Sequence, residues 1–263
     1  MSRHGRKHIF IPDTQVHPGA PINHIYWASQ YILDKGPDTI IFAGDWWDFP
    51  SLSSWDKPGS KRAETQRLRR DIDAGRFAMD IMLRPWERNG WAPRKIFLMG
   101  NHEHRYKRMV DEQPRILDGL LADPFGLKER DFEVYDFLRP VTVDGVRYAH
   151  YFPHNAKGGI TQMRSGAPSA RAQVQRQMCS ATAGHQQGID VAIVPTPEGL
   201  QRGLIGGSFY LHNEAYMEPL NHYWRGLFLK HRVRGGNYSL CDVDMGFLED
   251  KYRRLEPAGR KNA

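Results

Sequence analysis

Thr39-Ile-Ile-Phe-Ala-Gly-Asp45 is an apolar run that ends abruptly on a glycine and a carboxylate. Two other stretches share this form: His8-Ile-Phe-Ile-Pro-Asp13 and Lys95-Ile-Phe-Leu-Met-Gly-Asn101. Short runs without polar alternation predict strands buried on both faces of a sheet. Helical patterns lie between them, one from about Pro21 to Lys35 and one from about Arg62 to Trp86. In the second, Leu68, Ile72, Gly75, Met79 and Met82 recur on one face while Arg67, Arg69, Arg70 and Arg76 fall elsewhere, which predicts an amphipathic crossover helix. Strand and helix in alternation predict an α/β architecture with parallel pairing, in which ligands collect beyond the carboxyl ends of the strands. Asp13, Asp45 and Asn101 stand at those ends.

The second half of the chain changes style. Pro140-Val-Thr-Val-Asp-Gly-Val-Arg-Tyr-Ala-His150 places an Asp144-Gly145 turn between two extended runs, a hairpin signal. Further extended runs follow near Asp190 to Thr196, Gly203 to Tyr210 and Tyr238 to Met245, so the sheet is expected to become antiparallel or mixed there.

The chain has 263 residues, of which 40% are apolar and 25% charged, the proportions of a globular protein with a sizeable core. No stretch reaches the roughly 18 to 20 consecutive apolar residues of a membrane span, and Met1 to His8 lacks the apolar core of a signal peptide. No membrane partner and a cytoplasmic location are the expectation. Cys179 and Cys241 lie far apart, which implies neither a disulfide framework nor a structural zinc site. Net charge is +7, which favours polyanionic partners without naming one. Repeats are absent, so residues 1–250 read as one domain, followed by a basic tail at 251–263.

The chemistry-bearing residues cluster at the strand ends. Asp13 follows the first strand, Asp45 and Asp48 the second, and Asn101, His102 and Glu103 the third; His150 and His185 end later strands. Oxygen donors with imidazoles nearby suit a pair of divalent cations, and a carboxylate such as Asp45 can bridge two of them.

In this arrangement the sequence resembles the calcineurin-like metallophosphoesterase superfamily, in its compact, cap-free phage and bacterial form. The family's blocks run Asp-x-His, Gly-Asp-x-x-Asp, Gly-Asn-His-Asp/Glu, a strand-end His and Gly-His-x-His. Here they stand as Asp13-Thr-Gln15, Gly44-Asp-Trp-Trp-Asp48, Gly100-Asn-His-Glu103, His150 and Gly184-His-Gln-Gln187. The resemblance spans residues 8 to about 210 and implies a four-layer α/β/β/α sandwich with mixed sheets. It also implies a hydrolase of phosphate esters in which two cations hold a bridging hydroxide, His102 acts as general acid and Asp48 orients it. The implied metal ligands are Asp13, Gln15, Asp45, Asn101, His150, His185 and Gln187.

Two departures fall on matching positions, because the family's histidines at 15 and 187 are both glutamine here. In the family both belong to one metal, so that site is altered while the other keeps Asp45, Asn101, His150 and His185. Amide oxygens in place of imidazoles disfavour zinc and iron and favour manganese, magnesium or calcium, which makes Mn2+ the expected cofactor, with Mg2+, Ni2+, Zn2+ and Fe as alternatives. In a second reading His17 swings in as the missing nitrogen ligand; in a third the altered site is weak or empty. His154 competes with His150 for the fourth block, and His150 is preferred because it closes an alternating strand. His4, His8, His212, His222 and His231 are read as outside the site.

Trp46, Trp47, Phe49 and Trp55 lie beside Lys57, Lys61, Arg62, Arg67, Arg69 and Arg70, a mixture that suits stacked bases and a phosphate backbone. The alternative is that the tryptophans pack under a helix and the basic groups form a solvated face. Trp46 and Arg105 are the expected substrate contacts, with His104, Lys107 and Arg108 on helix surface. The glycine- and serine-rich stretch Gly158 to Ser169 reads as a loop that shapes specificity. Asp48 is followed by Phe49 rather than the arginine of protein serine/threonine phosphatases, which lowers that reading. The expected function is therefore a phosphodiesterase acting on DNA or RNA. The alternatives are a phosphomonoesterase on nucleotides or small esters, and a catalytically silent metal-dependent binding subunit.

Overall fold

The computed structural model describes residues 5–53, 67–117, 123–152, 154–156, 159–161, 169–213 and 223–256. Trp55, Lys57, Lys61, Arg62, His4, His222, most of 158–169 and the last part of the expected tail lie outside them, as does the side chain of His154.

The three apolar runs form neighbouring parallel strands, β1 (Arg6–Ile11), β2 (Thr39–Phe42) and β3 (Arg94–Leu98), extended in parallel by β4 (Phe132–Tyr135). Their lack of alternation has a simple cause, which is that each face meets a different core. Ile9, Ile11, Ile40, Phe42 and Phe97 point into one apolar cluster, and Phe10, Ile41, Ile96 and Leu98 into another. The first cluster is roofed by α1 (Asn23–Lys35) and α2 (Leu68–Arg88). On α2 the expected stripe holds, with Ile72, Gly75, Met79 and Met82 buried and Arg67, Arg69 and Arg70 exposed. Helix α1 ends as its sequence requires, with Gly36 in the left-handed region returning its N–H to the Ile32 carbonyl.

The second cluster lies between this sheet and a five-stranded one. That sheet contains the hairpin of β5 (Val141–Val143) and β6 (Val146–Ala149), with Asp144 and Gly145 both at positive φ. It continues through β9 (Ser180–Ala183), β11 (Gly199–Gly206) and β10 (Ile189–Thr196), in the order β10-β11-β9-β6-β5. A separate two-stranded ribbon joins β7 (His154–Ala156) to β8 (Gly159–Thr161). Helix α4 (Ala170–Gln177) packs on the outer face of the second sheet, whereas α3 (Asn101–Glu112) opens at the end of β3. The first sheet is completed by β12 (Gly226–Arg234) and β13 (Asn237–Asp244), added antiparallel beside β1. Both sheets are mixed and lie between helices, so the chain is a four-layer α/β sandwich.

Two readings need correction here. The boundary drawn at 250/251 cuts α5 (Met245–Tyr252), and residues to 256 belong to the domain. Tyr252 is buried and donates to Asp34 Oδ2 at 2.7 Å, while the Glu256 carboxylate accepts from Trp27 Nε1 and Asn23 Nδ2. Trp46 is not a substrate contact either. It is 1% exposed, its indole N–H donates to the Gly75 carbonyl at 3.0 Å, and its ring packs edge-on against Phe42. Trp47 is equally buried and donates to the Ile72 carbonyl at 3.2 Å.

This packing depends on the absence of a side chain at Gly75, where a Cβ would stand 1.8 Å from Trp47 Nε1. Replacing Gly75 by alanine gains helix propensity but forces the indole out of its place. The overpacking term, about 1–3 kcal/mol, wins over the helix gain of at most about 1 kcal/mol. Thermal unfolding of Gly75→Ala is expected several degrees below that of the parent; an unchanged or higher midpoint would contradict this packing.

Candidate metal centre

Four of the candidate ligand positions sit on sharp turns past strand ends. Gln15, Asp45, His185 and Gln187 all have positive φ, between 48° and 68°, a region that costs a non-glycine residue about 1–2 kcal/mol. Such strain concentrates at functional sites. Two glycines let the turns meet. A Cβ on Gly44, at φ 90°, would lie 2.3 Å from the Leu98 carbonyl, and one on Gly100 would lie 2.1 Å from Asp45 Oδ1.

Glu103 is fully buried and clamps these turns together. Its Oε1 accepts the backbone N–H groups of Trp46 and Trp47, and its Oε2 those of Asp45 and Gly100. With four donors on its oxygens, Glu103 shapes the backbone around Asp45 rather than serving as a ligand. The Asp45 carboxylate in turn accepts the His102 N–H at 2.9 Å in the first turn of α3, where the helix dipole favours an anion.

Asp45, His150 and His185 offer ligand atoms within 4.8 Å of one another. His150 Nδ1 donates to the Ala43 carbonyl at 2.8 Å, which leaves Nε2 facing the cluster. Around Nε2 stand Asn101 Oδ1 at 2.9 Å, His185 Nδ1 at 3.2 Å and Asp45 Oδ2 at 3.4 Å. Asp13 is fully buried; its Oδ1 accepts the His185 N–H at 2.9 Å, while its Oδ2 has no partner. Gln15 Oε1 is likewise buried without a partner. Gln187 Oε1 accepts from the Tyr210 hydroxyl at 2.8 Å.

A cleft of about 230 Å³ opens over these groups, lined by Gln15, Asp45, Asn101, His102, His185, Gln187 and Tyr223, among others. His102 stands at its edge with Nδ1 2.6 Å from the Asp48 carbonyl and 3.2 Å from Asp48 Oδ1. Arg105 donates to the same Asp48 carbonyl at 3.2 Å and to His102 Nε2 at 3.1 Å. The structure thus brings together Asp13, Gln15, Asp45, Asn101, His102, Asp48, His150, His185, Gln187 and Arg105.

His17 departs from its reading as a substitute ligand. Its Nδ1 lies 3.1 Å from the Pro18 carbonyl, and its ring packs edge-on against His212 at 4.9 Å. His104 stacks on Phe137, and Lys107 and Arg108 are exposed. Sequence reasoning missed Tyr210 and Tyr223, and it read His212 as outside the site. All three lie between β11 and β12, far from any motif: Tyr223 lines the cleft, Tyr210 bonds Gln187 from behind it, and His212 stacks on Tyr210.

The electrostatics follow from burial opposed by charge. Burial alone would lower the His150 and His102 imidazoles, but Asp45 overcomes it and raises each to about 9, with help at His102 from Asp48. For Asp45 burial acts upward, and the two imidazoles outweigh it and hold the carboxyl below its ordinary value. Burial and the neighbouring His150 charge depress His185 to about 4, and burial lifts Asp13 to about 7.

Below pH 9 His150 is charged in the cation-free protein, and a cation on Nε2 must expel that proton. Apparent affinity for a divalent cation is therefore expected to rise up to about tenfold per pH unit from pH 7 towards 9 and then to level off. Calorimetry at pH 7 in buffers of different ionisation enthalpy should find about one proton released. Binding independent of pH would contradict the assignment of His150.

No protein-family model matches the chain, and no curated protein matches it. Solved structures do resemble it, among them one that covers 90% of this chain and 98% of its own at 10% identity, with a TM-score of 0.41. Likeness at that level bears on no functional assignment. Among the described residues no helix is long and apolar enough to cross a membrane.

Proposed function

We propose that the chain is a metal-dependent phosphoric ester hydrolase acting on phosphodiesters, with nucleic acid as its substrate class. One observation carries the reading: Asp13 Oδ2 and Gln15 Oε1 are buried acceptors without donors, beside the Asp45, His150 and His185 cluster. An unsatisfied buried acceptor costs about 1–3 kcal/mol, and a cation would satisfy several at once. On this reading Asp45, Asn101, His150 and His185 hold one divalent cation, and Asp13, Gln15, Asp45 and Gln187 hold a second. The donor set fits: imidazole with oxygen in the first half suits manganese, nickel, zinc or iron, while the all-oxygen second half suits manganese or magnesium. Bound cations would polarise the phosphoryl oxygens and supply nucleophilic water at neutral pH.

The chain's own residues supply the proton for the leaving group. Asp48 fixes the His102 ring through Nδ1, so Nε2 is the nitrogen that hands a proton to the departing oxygen. Arg105 covers that nitrogen here. A guanidinium only donates, so its contact requires a lone pair on Nε2, whereas Asp45 and Asp48 favour the imidazolium. The two arrangements exclude each other. An arriving phosphodiester gives Arg105 an anionic acceptor, and its departure leaves Nε2 free to carry the proton.

Net charge of +7 and Arg105 at the cleft support the polyanionic substrate. The test is hydrolysis of bis-p-nitrophenyl phosphate, p-nitrophenyl phosphate and single-stranded DNA by chelator-stripped protein reloaded with Mn2+. The diester should be the faster of the two aryl substrates, and activity on DNA should fall steeply with rising salt. Preference for the monoester would favour a phosphomonoesterase, and absence of turnover with every metal would leave a binding subunit.

A further inference from the structure

Beside the cluster stands a column of rings that the chemistry above leaves unused. The His17 ring meets His212 edge-on at 4.9 Å, His212 stacks on Tyr210 at 4.5 Å and 20°, and Tyr210 lies 6.4 Å from Tyr223, which lines the cleft. Tyr210 is fully buried and bound to Gln187, whereas His17, His212 and Tyr223 are half-buried. Arg225 braces the column from behind. It donates to the Leu211 carbonyl at 3.2 Å, the His212 carbonyl at 3.0 Å and Asn213 Oδ1 at 2.7 Å, and it lies 5.5 Å from the Tyr210 ring.

Resting on the phosphodiesterase reading, we infer that this column is a subsite for the nucleobase next to the scissile phosphate. Three features point to that guest. Tyr223 lines the same cleft as the ligand cluster and the column continues from it, so one ligand can engage both. The half-buried rings, His17, His212 and Tyr223, offer planar, polarisable surface, which stacks on a base of any identity. Their nearby cation, Arg225, is already engaged by three oxygen acceptors, so the column is built for a neutral planar group rather than a second phosphate. His17 also sits close enough to Asp48 to act on its charge, which ties the column to the residue that orients His102.

The experiment compares two diesters with the same leaving group, methyl p-nitrophenyl phosphate and thymidine 5′-(p-nitrophenyl phosphate), using the Mn2+-loaded full chain. The nucleoside ester is expected to have the higher kcat/KM by about tenfold or more, the scale of one base–aromatic stack. That ratio should fall below about threefold in His212→Ala and Tyr223→Leu, and recover in His212→Phe, which restores the ring. Circular dichroism of each variant confirms that it is folded. A parent that hydrolyses both esters equally overturns the subsite and leaves the phosphodiesterase reading standing. If neither ester turns over, that reading fails instead, and calorimetry of thymidine 5′-phosphate against methyl phosphate decides the subsite: tighter nucleotide binding by about tenfold supports it, and equal binding overturns it.

Discussion

Replacing His102 by alanine is expected to lower kcat about 10²- to 10⁴-fold on a dinucleotide and far less on bis-p-nitrophenyl phosphate. The difference between the substrates is the informative part. An alkoxide leaving from a nucleoside is a strong base and needs a proton in the transition state, whereas p-nitrophenolate leaves without one. On the proposed reading His102 is held for that task by Asp48, whose carbonyl and carboxylate both face Nδ1. Asp48→Asn keeps the carbonyl contact but removes the charge that helps raise His102, so its loss on the dinucleotide should be smaller and the alkaline limb of the rate profile, set by loss of the His102 proton, should move to lower pH. Equal losses on both substrates in His102→Ala would mean that the residue positions the site without acting as an acid.

Asp45→Asn is expected to be the most damaging conservative change to cation binding. One Asp45 oxygen accepts the His102 N–H while the other faces His150, and the carboxylate is common to both proposed halves. An amide keeps the volume but removes the charge and turns an NH2 group towards a cation or an imidazole. Loss of an outer-shell partner weakens metal binding about 10- to 100-fold, so removal of a shared ligand charge should cost more than 100-fold. The same change also removes the largest upward influence on His102 and His150, and their imidazole NMR titrations should move down from about 9. A variant that binds Mn2+ like the parent, with both imidazoles titrating as before, would remove Asp45 from the centre.

The strands that carry the candidate ligands were legible because their physics is local. Ile9 to Ile11 and Ile40 to Phe42 are apolar at every position since both faces are buried, and the polar residue that follows each run marks its exit. Strand β12 was not legible, for a reason visible at Lys230. A lysine in Gly226–Arg234 argues for surface, yet Lys230 is fully buried between the sheets, over the rings of Tyr148 and Tyr238, and donates to Tyr148 Oη and Thr182 Oγ1. Burial depresses its amine well below the ordinary value. Long-range partners of that kind leave no trace in local pattern.

The candidate site divides along the same line. Asp13, Asp45, Asn101, His150 and His185 could be placed from strand ends alone, whereas Gln15 and Gln187 came only from the resemblance to the metallophosphoesterase blocks, where they stand at the positions of two histidines. The role of Glu103 could not, because four backbone donors from two turns define it. Trp46 misled because its neighbours in sequence are an aspartate and a basic segment, whereas its neighbours in space are Phe42 and Gly75. Tyr252 and Glu256 extend the domain past the expected boundary through partners on α1 and α1's first turn, more than 200 residues away in sequence.

The most direct test of the central claim is a Mn2+ titration of the chelator-stripped full chain, followed by electron paramagnetic resonance, with hydrolysis of bis-p-nitrophenyl phosphate read in the same samples. The orphaned oxygens of Asp13 and Gln15 beside the Asp45, His150 and His185 cluster predict two ions per chain, with turnover rising as the second is bound. A chain that takes up no Mn2+, or that takes up two and leaves the diester untouched, would contradict it.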